Sequence, residues 1–377
     1  MPFQPTVLGQ LVQSISRTAF RGACAGRAKW ALSDWAHLMV LVVAQVSGVA
    51  SLRDLTRLLA HHRCALSHLG IGAVSRSTLA DANRTRASTP FAAVAAQLSA
   101  MVAQLAPGLA REALRLIDAT SIHAGKTVQH WAVGGGIKLH VVFDPILRRT
   151  TFFCVTPART NDISVAHRMP IEVGATYVFD LGYYAFTFWA RLDAEGCRFV
   201  TRLKTNTLLR TLVTNAVPED APHILSDRIG RLPARLAANR RNPYSAPVRM
   251  IEVRISTGRV LRLVSNDLDA PAADIAALYK ARWEIELFFK WLKQNLKLRH
   301  FLGSGRNAVT LQVLAALIAF LLVRIAQLRA ASALPGQAAF RLIGAAAMQR
   351  RNLLALLHHP PPSPTPPSAP QLALALA

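Results

Sequence analysis

Carboxylates are scarce in this chain. Asp and Glu number 20 against 44 Lys and Arg in 377 residues, for a formal net charge of +24. That imbalance excludes an acidic surface and points to a polyanionic partner, most simply nucleic acid. The plainer alternative is a solvated cationic surface of the ribosomal kind. Cysteine is also rare. Cys24, Cys64, Cys154 and Cys197 form no Cys-x2-Cys pair, which argues against a disulfide framework or a zinc site and suits small buried side chains in a reducing cytoplasm. The opening stretch MPFQPTVLGQ lacks the basic start and apolar core of a secretion signal. One apolar run, Ala308 to Val323, invites comparison with a membrane span. It carries Thr310 and Gln312 and falls short of about 20 residues, so a buried core helix is expected. There is no internal repeat.

What is present is a chain with 52% hydrophobic residues, enough for two or three folded domains. Residues 1–105 read as all-helical. Ser33 is placed to cap a helix closing at Gly48, and Leu52, Leu55, Leu58 and Leu59 follow helical spacing. After the turn LGIGAVS comes a third helix, with Thr78 and Asp81 spaced as a capping box. This pattern suits a helix-turn-helix reader with Arg76, Arg84 and Arg86 facing DNA; an ordinary helical bundle is the alternative. Over 106–205 the pattern changes to short β-prone segments with two helical connectors, which indicates a mixed sheet. Residues 206–268 interrupt it as a basic, loop-rich stretch ending in a hairpin at Thr257-Gly258. Residues 269–330 read as one long helix, starting near Pro271 and ending near Gly303, followed by the apolar core helix. Residues 331–377 add an Ala-rich helix and a proline-rich tail, Pro360 to Pro370, expected to be disordered.

Three acids stand out. Asp118 closes the apolar run LRLI and Asp180 closes TYVF. An aspartate after a hydrophobic strand sits where open sheets build sites. At about 100° per residue on the long helix, Tyr279, Arg282, Glu286, Lys290 and Lys293 share one face. Ala281, Ile285, Phe288, Leu292 and Leu296 share another that faces the core, and Glu284 points away from Glu286. A salt bridge would account for Glu286 with Lys290, but not for the surplus of cations. Two strand aspartates and a helical glutamate suit Mg2+ or Mn2+. Such a trio can hold two ions about 4 Å apart that clamp the attacking and leaving oxygens of a phosphodiester, while the surrounding cations grip DNA phosphates. Asp144, followed by proline, reads as a turn residue, and Asp162 as a helix cap. The pairs His61-His62 and His358-His359 lack a metal-binding context.

These residues resemble the bacterial insertion-sequence transposases of family four, within the DDE class. Their signature Tyr-x2-Arg-x3-Glu-x6-Lys is met by Tyr279, Arg282, Glu286 and Lys293. Their Asp-x-Thr context is met at Asp118, and Asp-x-Gly-Tyr at Asp180, Gly182 and Tyr183. The chain departs at Leu181, where relatives often carry arginine. The resemblance spans roughly residues 25–330. It implies an α/β fold with a ribonuclease H-like catalytic domain, split by a β-rich insertion and preceded by an all-helical DNA-binding domain. It implies that Asp118, Asp180 and Glu286 are catalytic and hold Mg2+ or Mn2+, two ions in all. Tyr279, Arg282 and Lys293 would bind DNA phosphates, and either Trp283 or Trp291 would stack on a flipped base unless both are core. The implied reaction is cut-and-paste: hydrolysis frees a 3′-hydroxyl, which attacks the opposite strand to form a hairpin, and the resolved end attacks target DNA. Its partners would be double-stranded DNA, at terminal inverted repeats and at the target, and a second copy in a homodimeric synaptic complex. It would work in the cytoplasm at the nucleoid. The alternatives are a nuclease of the same fold without strand transfer and a catalytically silent DNA-binding protein.

Overall fold

The computed structural model describes residues 4–25, 32–109, 113–123, 131, 136–217, 219–235, 240–295 and 302–360. The proline-rich tail beyond Pro360 and Leu296 of the core-facing stripe lie outside them. Hydroxyl caps set most of the early helices, which are α1 (Val7–Val12), α2 (Arg17–Ala23), α3 (Asp34–Val46), α4 (Leu52–His61), α5 (Arg63–Leu66), α6 (Arg76–Thr85) and α7 (Thr89–Leu105). Thr6, Ser16, Ser33, Ser51 and Ser75 each accept the backbone N–H three residues on, a bond worth about 1 kcal/mol apiece. Ser75, rather than Thr78, therefore caps α6, and Asp81 instead pairs with Arg84 at 3.0 Å. Cys64 is exposed on α5, on the side opposite buried Leu66, and only Cys197 of the four cysteines is buried. The expectation of four buried thiols thus holds for one.

Two runs of strands follow in sequence. First come β1 (Leu114–His123), β2 (Gly136–Asp144), β3 (Arg149–Pro157), α8 (Asp162–Ala166), β4 (Thr176–Phe179), α9 (Phe186–Ala194) and β5 (Arg198–Arg202). Then come β6 (Arg210–Thr214), β7 (Ile224–Arg231), β8 (Val248–Arg254) and β9 (Val260–Ser265). They form one sheet in the order β3-β2-β1-β4-β5-β9-β8-β7-β6. β3, β2 and β1 run antiparallel, β1, β4 and β5 parallel, and β9 returns antiparallel to β5. The stretch read as loop-rich thus holds two strands, β6 and β7, that continue the central sheet. β7 was hidden by its polarity: its Asp227 is buried, yet two bonds to Arg249 of β8, at 2.8 and 2.6 Å, satisfy it. The β8–β9 hairpin turns at Gly258, whose φ of +81° favours glycine. At the far edge, all five residues of β6 are exposed.

The chain closes with α10 (Ala272–Ala281), α11 (Trp283–Asn295), α12 (Arg306–Arg329), α13 (Gly336–Ala346) and α14 (Leu353–His358). The single long helix expected here is two. Arg282 N–H bonds to Tyr279 O and Ile285 N–H to Arg282 O, each at 3.2 Å. Such i→i+3 bonds tighten the turn and separate α10 from α11. Alternation along the strands gives two cores. Leu116, Val141 and Val178 pack with Ile285, Phe288 and Leu292 on one face, and Ile117, Val142 and Phe179 pack with Phe188 and Trp189 on the other. The apolar run of α12 is a core helix, with 83% of its most apolar window buried. It joins α1–α7 and α13–α14 in a third core. Helix α1 interlocks there with the α13–α14 segment: Val7 N–H donates to Gln349 O at 2.9 Å, and Leu353 N–H donates to Gln10 Oε1 at 2.9 Å.

Candidate active site

The sheet sets two of the acids side by side. Ile117 pairs with Phe179 across the parallel β1–β4 ladder, so Asp118 and Asp180 follow on neighbouring strands that lie about 4.8 Å apart. Both take the face of Leu116 and Val178, which is the face α11 covers. Asp118 is not at its strand's end. β1 continues to His123 against β2 alone, and only the parallel pairing stops near Asp118. Asp118 Oδ1 accepts Ala119 N–H at 2.7 Å, and Asp180 Oδ1 accepts Gly182 N–H at 2.8 Å. A Cβ at Gly182 would lie 3.0 Å from Asp180 Oδ1 and 3.3 Å from Asp162 Oδ2. The glycine leaves room for two carboxylates.

Helix α11 brings the third acid. Its buried side, Ile285, Phe288, Phe289 and Leu292, fixes the helix phase so that Glu286 comes near Asp118. Arg282 Nη2 donates to Glu286 Oε1 at 2.6 Å, and Nη1 lies 3.4 Å from Asp118 Oδ2. One guanidinium thus spans a helix acid and a strand acid. Burial works against the Arg282 charge, yet Tyr279, Glu286 and Asp118 hold its pKa above the ordinary value. Burial pushes the Asp118 carboxyl up to about 6; the Ala119 bond and Arg282 oppose this, while the charges of Asp180 and Glu286 add to it. Partial burial lowers the Lys293 ammonium and Asp118 opposes that, so Lys293 is within electrostatic reach of Asp118. The Arg282 guanidinium lies 5.8 Å from the Tyr279 ring centroid. Lys290 is exposed and lines a separate cavity with Phe143 and Trp291. Among the described residues no three acid, His or Cys side chains close into a ready metal cage, and Arg282 stands between two of the trio. An all-oxygen donor set and a cation already drawn between two of the acids suit a hard divalent ion.

The remaining candidates separate clearly. Asp144 is buried, paired with Arg115 at 3.0 Å and Arg149 at 3.3 Å, and accepts Leu147 N–H. Its place is in the β2–β3 turn. Asp162 is not the cap of α8, because Asn161 accepts the Ile163 N–H; Asp162 pairs with Lys138 at 2.9 Å, beside the Asp180 loop. That neighbour was missed, since only the fold brings 138, 162 and 180 together. Arg86 is buried against Asp34 at 3.2 Å and the carbonyls of Leu32 and Ser33, so it ties α3 to α6 instead of facing DNA. Arg76 and Arg84 are exposed. Trp283 is 57% exposed and lines a surface cavity with Tyr279 and Arg282, whereas Trp291 packs on Phe320 and Phe340. The His61-His62 and His358-His359 rings touch each other edge-on.

Comparison with known proteins bears on the same region. Residues 110–322 match the family described as Transposase DDE domain, and residues 4–72 match a domain of unknown function, DUF4372. The chain is 38% identical over 255 residues to a Sinorhizobium fredii (strain NBRC 101917 / NGR234) protein named as the transposase y4zB, covering 66% of this chain and 70% of that one. It is 29% identical over 216 residues to a Geobacillus stearothermophilus protein named as a transposase for insertion sequence element IS5377, covering 56% of each. A Synechocystis protein named for insertion sequence element IS4SA is 41% identical over 75 residues, 20% of this chain and 22% of that one. The DDE-domain match takes in more than half of the residues, and the chain belongs to the DDE transposases of the insertion-sequence family-four type.

Proposed function

We propose that this transposase moves its element by cut-and-paste, with Asp118, Asp180 and Glu286 as the catalytic carboxylates. The observation that carries this reading is the Arg282 bridge. It draws Glu286 to Asp118, across 164 residues of sequence between Arg282 and Asp118, beside Asp180, which directly follows the neighbouring strand β4. The order β3-β2-β1-β4-β5, three strands antiparallel and then parallel, supports a ribonuclease H-like core from residues 106–205 and 269–330. Residues 206–268 are then the β-rich insertion, 1–105 the DNA-binding helical domain and 331–377 the C-terminal segment. Double-stranded DNA is the substrate, at the element ends and at the target, and two copies act together.

Asp118, Asp180 and Glu286 would hold Mg2+ or Mn2+. Bound there, divalent ions would supply an activated water or 3′-hydroxyl and stabilise the leaving oxygen. The chain's own residues prepare the rest. The Ala119 and Gly182 amides orient the two aspartates. Arg282 exchanges its carboxylates for a DNA phosphate, next to Tyr279 and Lys293, so that the scissile bond lies against the trio. Exposed Trp283 offers a flat face for a displaced base. Glu286→Gln is expected to abolish nicking of element-end DNA while binding stays equal or tightens, because a negative charge near phosphates is lost. Wild-type nicking by this variant would overturn the assignment.

A further inference from the structure

We infer that Arg148, Lys290 and Arg324 form a phosphodiester-binding pocket that grips the DNA strand beside the reacting bond; the inference rests on the function proposed above. A cavity of about 270 Å³ opens between α11, α12, the β2–β3 turn and the start of α13. Phe143, Phe288, Trp291 and Phe320 make its apolar wall, and the three cations make its charged side. Among the described residues no carboxylate lines it. Nor, among those residues, does any of the three cations have an ion pair, and Arg324 is held by one bond, from its Nε to Leu147 O at 3.3 Å. Elsewhere in the chain acids sit on the most buried arginines, Asp34 on Arg86, Asp144 on Arg115 and Asp227 on Arg249. The half-buried Arg191 and Arg262 each donate to three carbonyls, whereas Arg324 has one.

Arg148 and Arg324 feel each other directly. Burial and the Arg148 charge both lower the Arg324 pKa. Arg148 also sits at φ +54°, a backbone state that non-glycine residues seldom adopt, and the turn keeps that cation at the cavity. An anion bound between the two guanidinium groups would offset their repulsion. Position identifies the anion. Lys290 lies one helical turn beyond Glu286, about 6 Å along the axis, so a strand whose scissile phosphate is at the trio passes a neighbouring phosphate over this pocket.

The test uses the full-length protein and a duplex carrying an element end. Removing one cation that neutralises a phosphate should lower the slope of log affinity against log salt by about one unit. Arg148→Ala and Arg324→Ala are each expected to show that drop, and Arg324→Lys to restore most of it. A neutral methylphosphonate at the phosphate flanking the cleaved bond should erase the difference between wild type and Arg148→Ala. Arg148 is exposed on a turn, so its variant decides the matter even if the half-buried Arg324 variant unfolds. An unchanged slope for Arg148→Ala, or a difference that survives neutralisation of every flanking phosphate in turn, overturns the pocket. Continued DNA nicking in that case leaves the proposed function standing, whereas nicking by Glu286→Gln would remove that function and leave the salt slopes to judge the pocket.

Discussion

Arg282 holds two acids that repel each other, and that gives the residue scale its sharpest expectations. Arg282→Ala removes the guanidinium that competes for Asp118 and Glu286. Mn2+ uptake by the free protein should therefore tighten, while DNA binding weakens and its salt slope falls by about one unit. Calorimetry with Mn2+ alone separates the two effects; weaker uptake would show that the arginine organises the acids more than it competes with them. Gly182→Ala should cut nicking at least tenfold with DNA affinity unchanged, because the added Cβ meets Asp180 Oδ1 and Asp162 Oδ2. Glu284→Gln, on the exposed side of α11, should nick at a rate within twofold of wild type. The tyrosine–arginine–glutamate–lysine spacing was legible in sequence because it lies within two helical segments. The partners of Arg282 were only half legible: Glu286 is four residues away, but Asp118 is reached through the fold. Asp162 was misread because Asn161, one residue earlier, takes the capping role.

Elements differ in how plainly they announce themselves. Ser33 and Ser51 mark their helices because a hydroxyl cap is a local bond. β7 does not announce itself, since its Asp227 becomes tolerable only once Arg249 of β8 is present. The break at Arg282 was invisible to a periodic reading, which carries one phase through Tyr279 and Lys293 alike. A buried histidine links two early helices. His37 of α3 bonds Asn83 of α6 at 2.8 Å, and burial above all pushes its pKa from 6.5 down to about 4. A depressed histidine contributes stability that is present above pH 6.5 and lost as pH falls toward 4. Urea unfolding should therefore show a loss of about 2–3 kcal/mol between pH 7 and 4.5 from this group. His37→Gln should flatten that part of the profile, and an unaltered profile would place the acid sensitivity elsewhere.

The whole molecule is more interleaved than its sequence suggests. The helices before residue 106 share one core with α12–α14, so removal of residues 1–105 should uncover the apolar side of α12. The remaining fragment is expected to bind a hydrophobic dye and to precipitate, and a soluble, cooperatively unfolding fragment would count against this coupling. Composition gave no hint of it, because both partners look like self-sufficient helical segments. The sheet carries a different kind of asymmetry. Its β3 margin is backed by α7 and α12, whereas β6 shows Leu212 and Val213 about half exposed and, among the described residues, has a strand on one side only. An unsealed margin invites another strand. A sheet open at one margin cannot polymerise through that margin: once two copies join β6 to β6 about a twofold axis, no free end remains. Self-association by this route is growth that terminates itself, ending in a closed pair. Sedimentation at rising concentration should plateau at twice the monomer mass, and Leu212→Lys should shift that plateau to higher concentration.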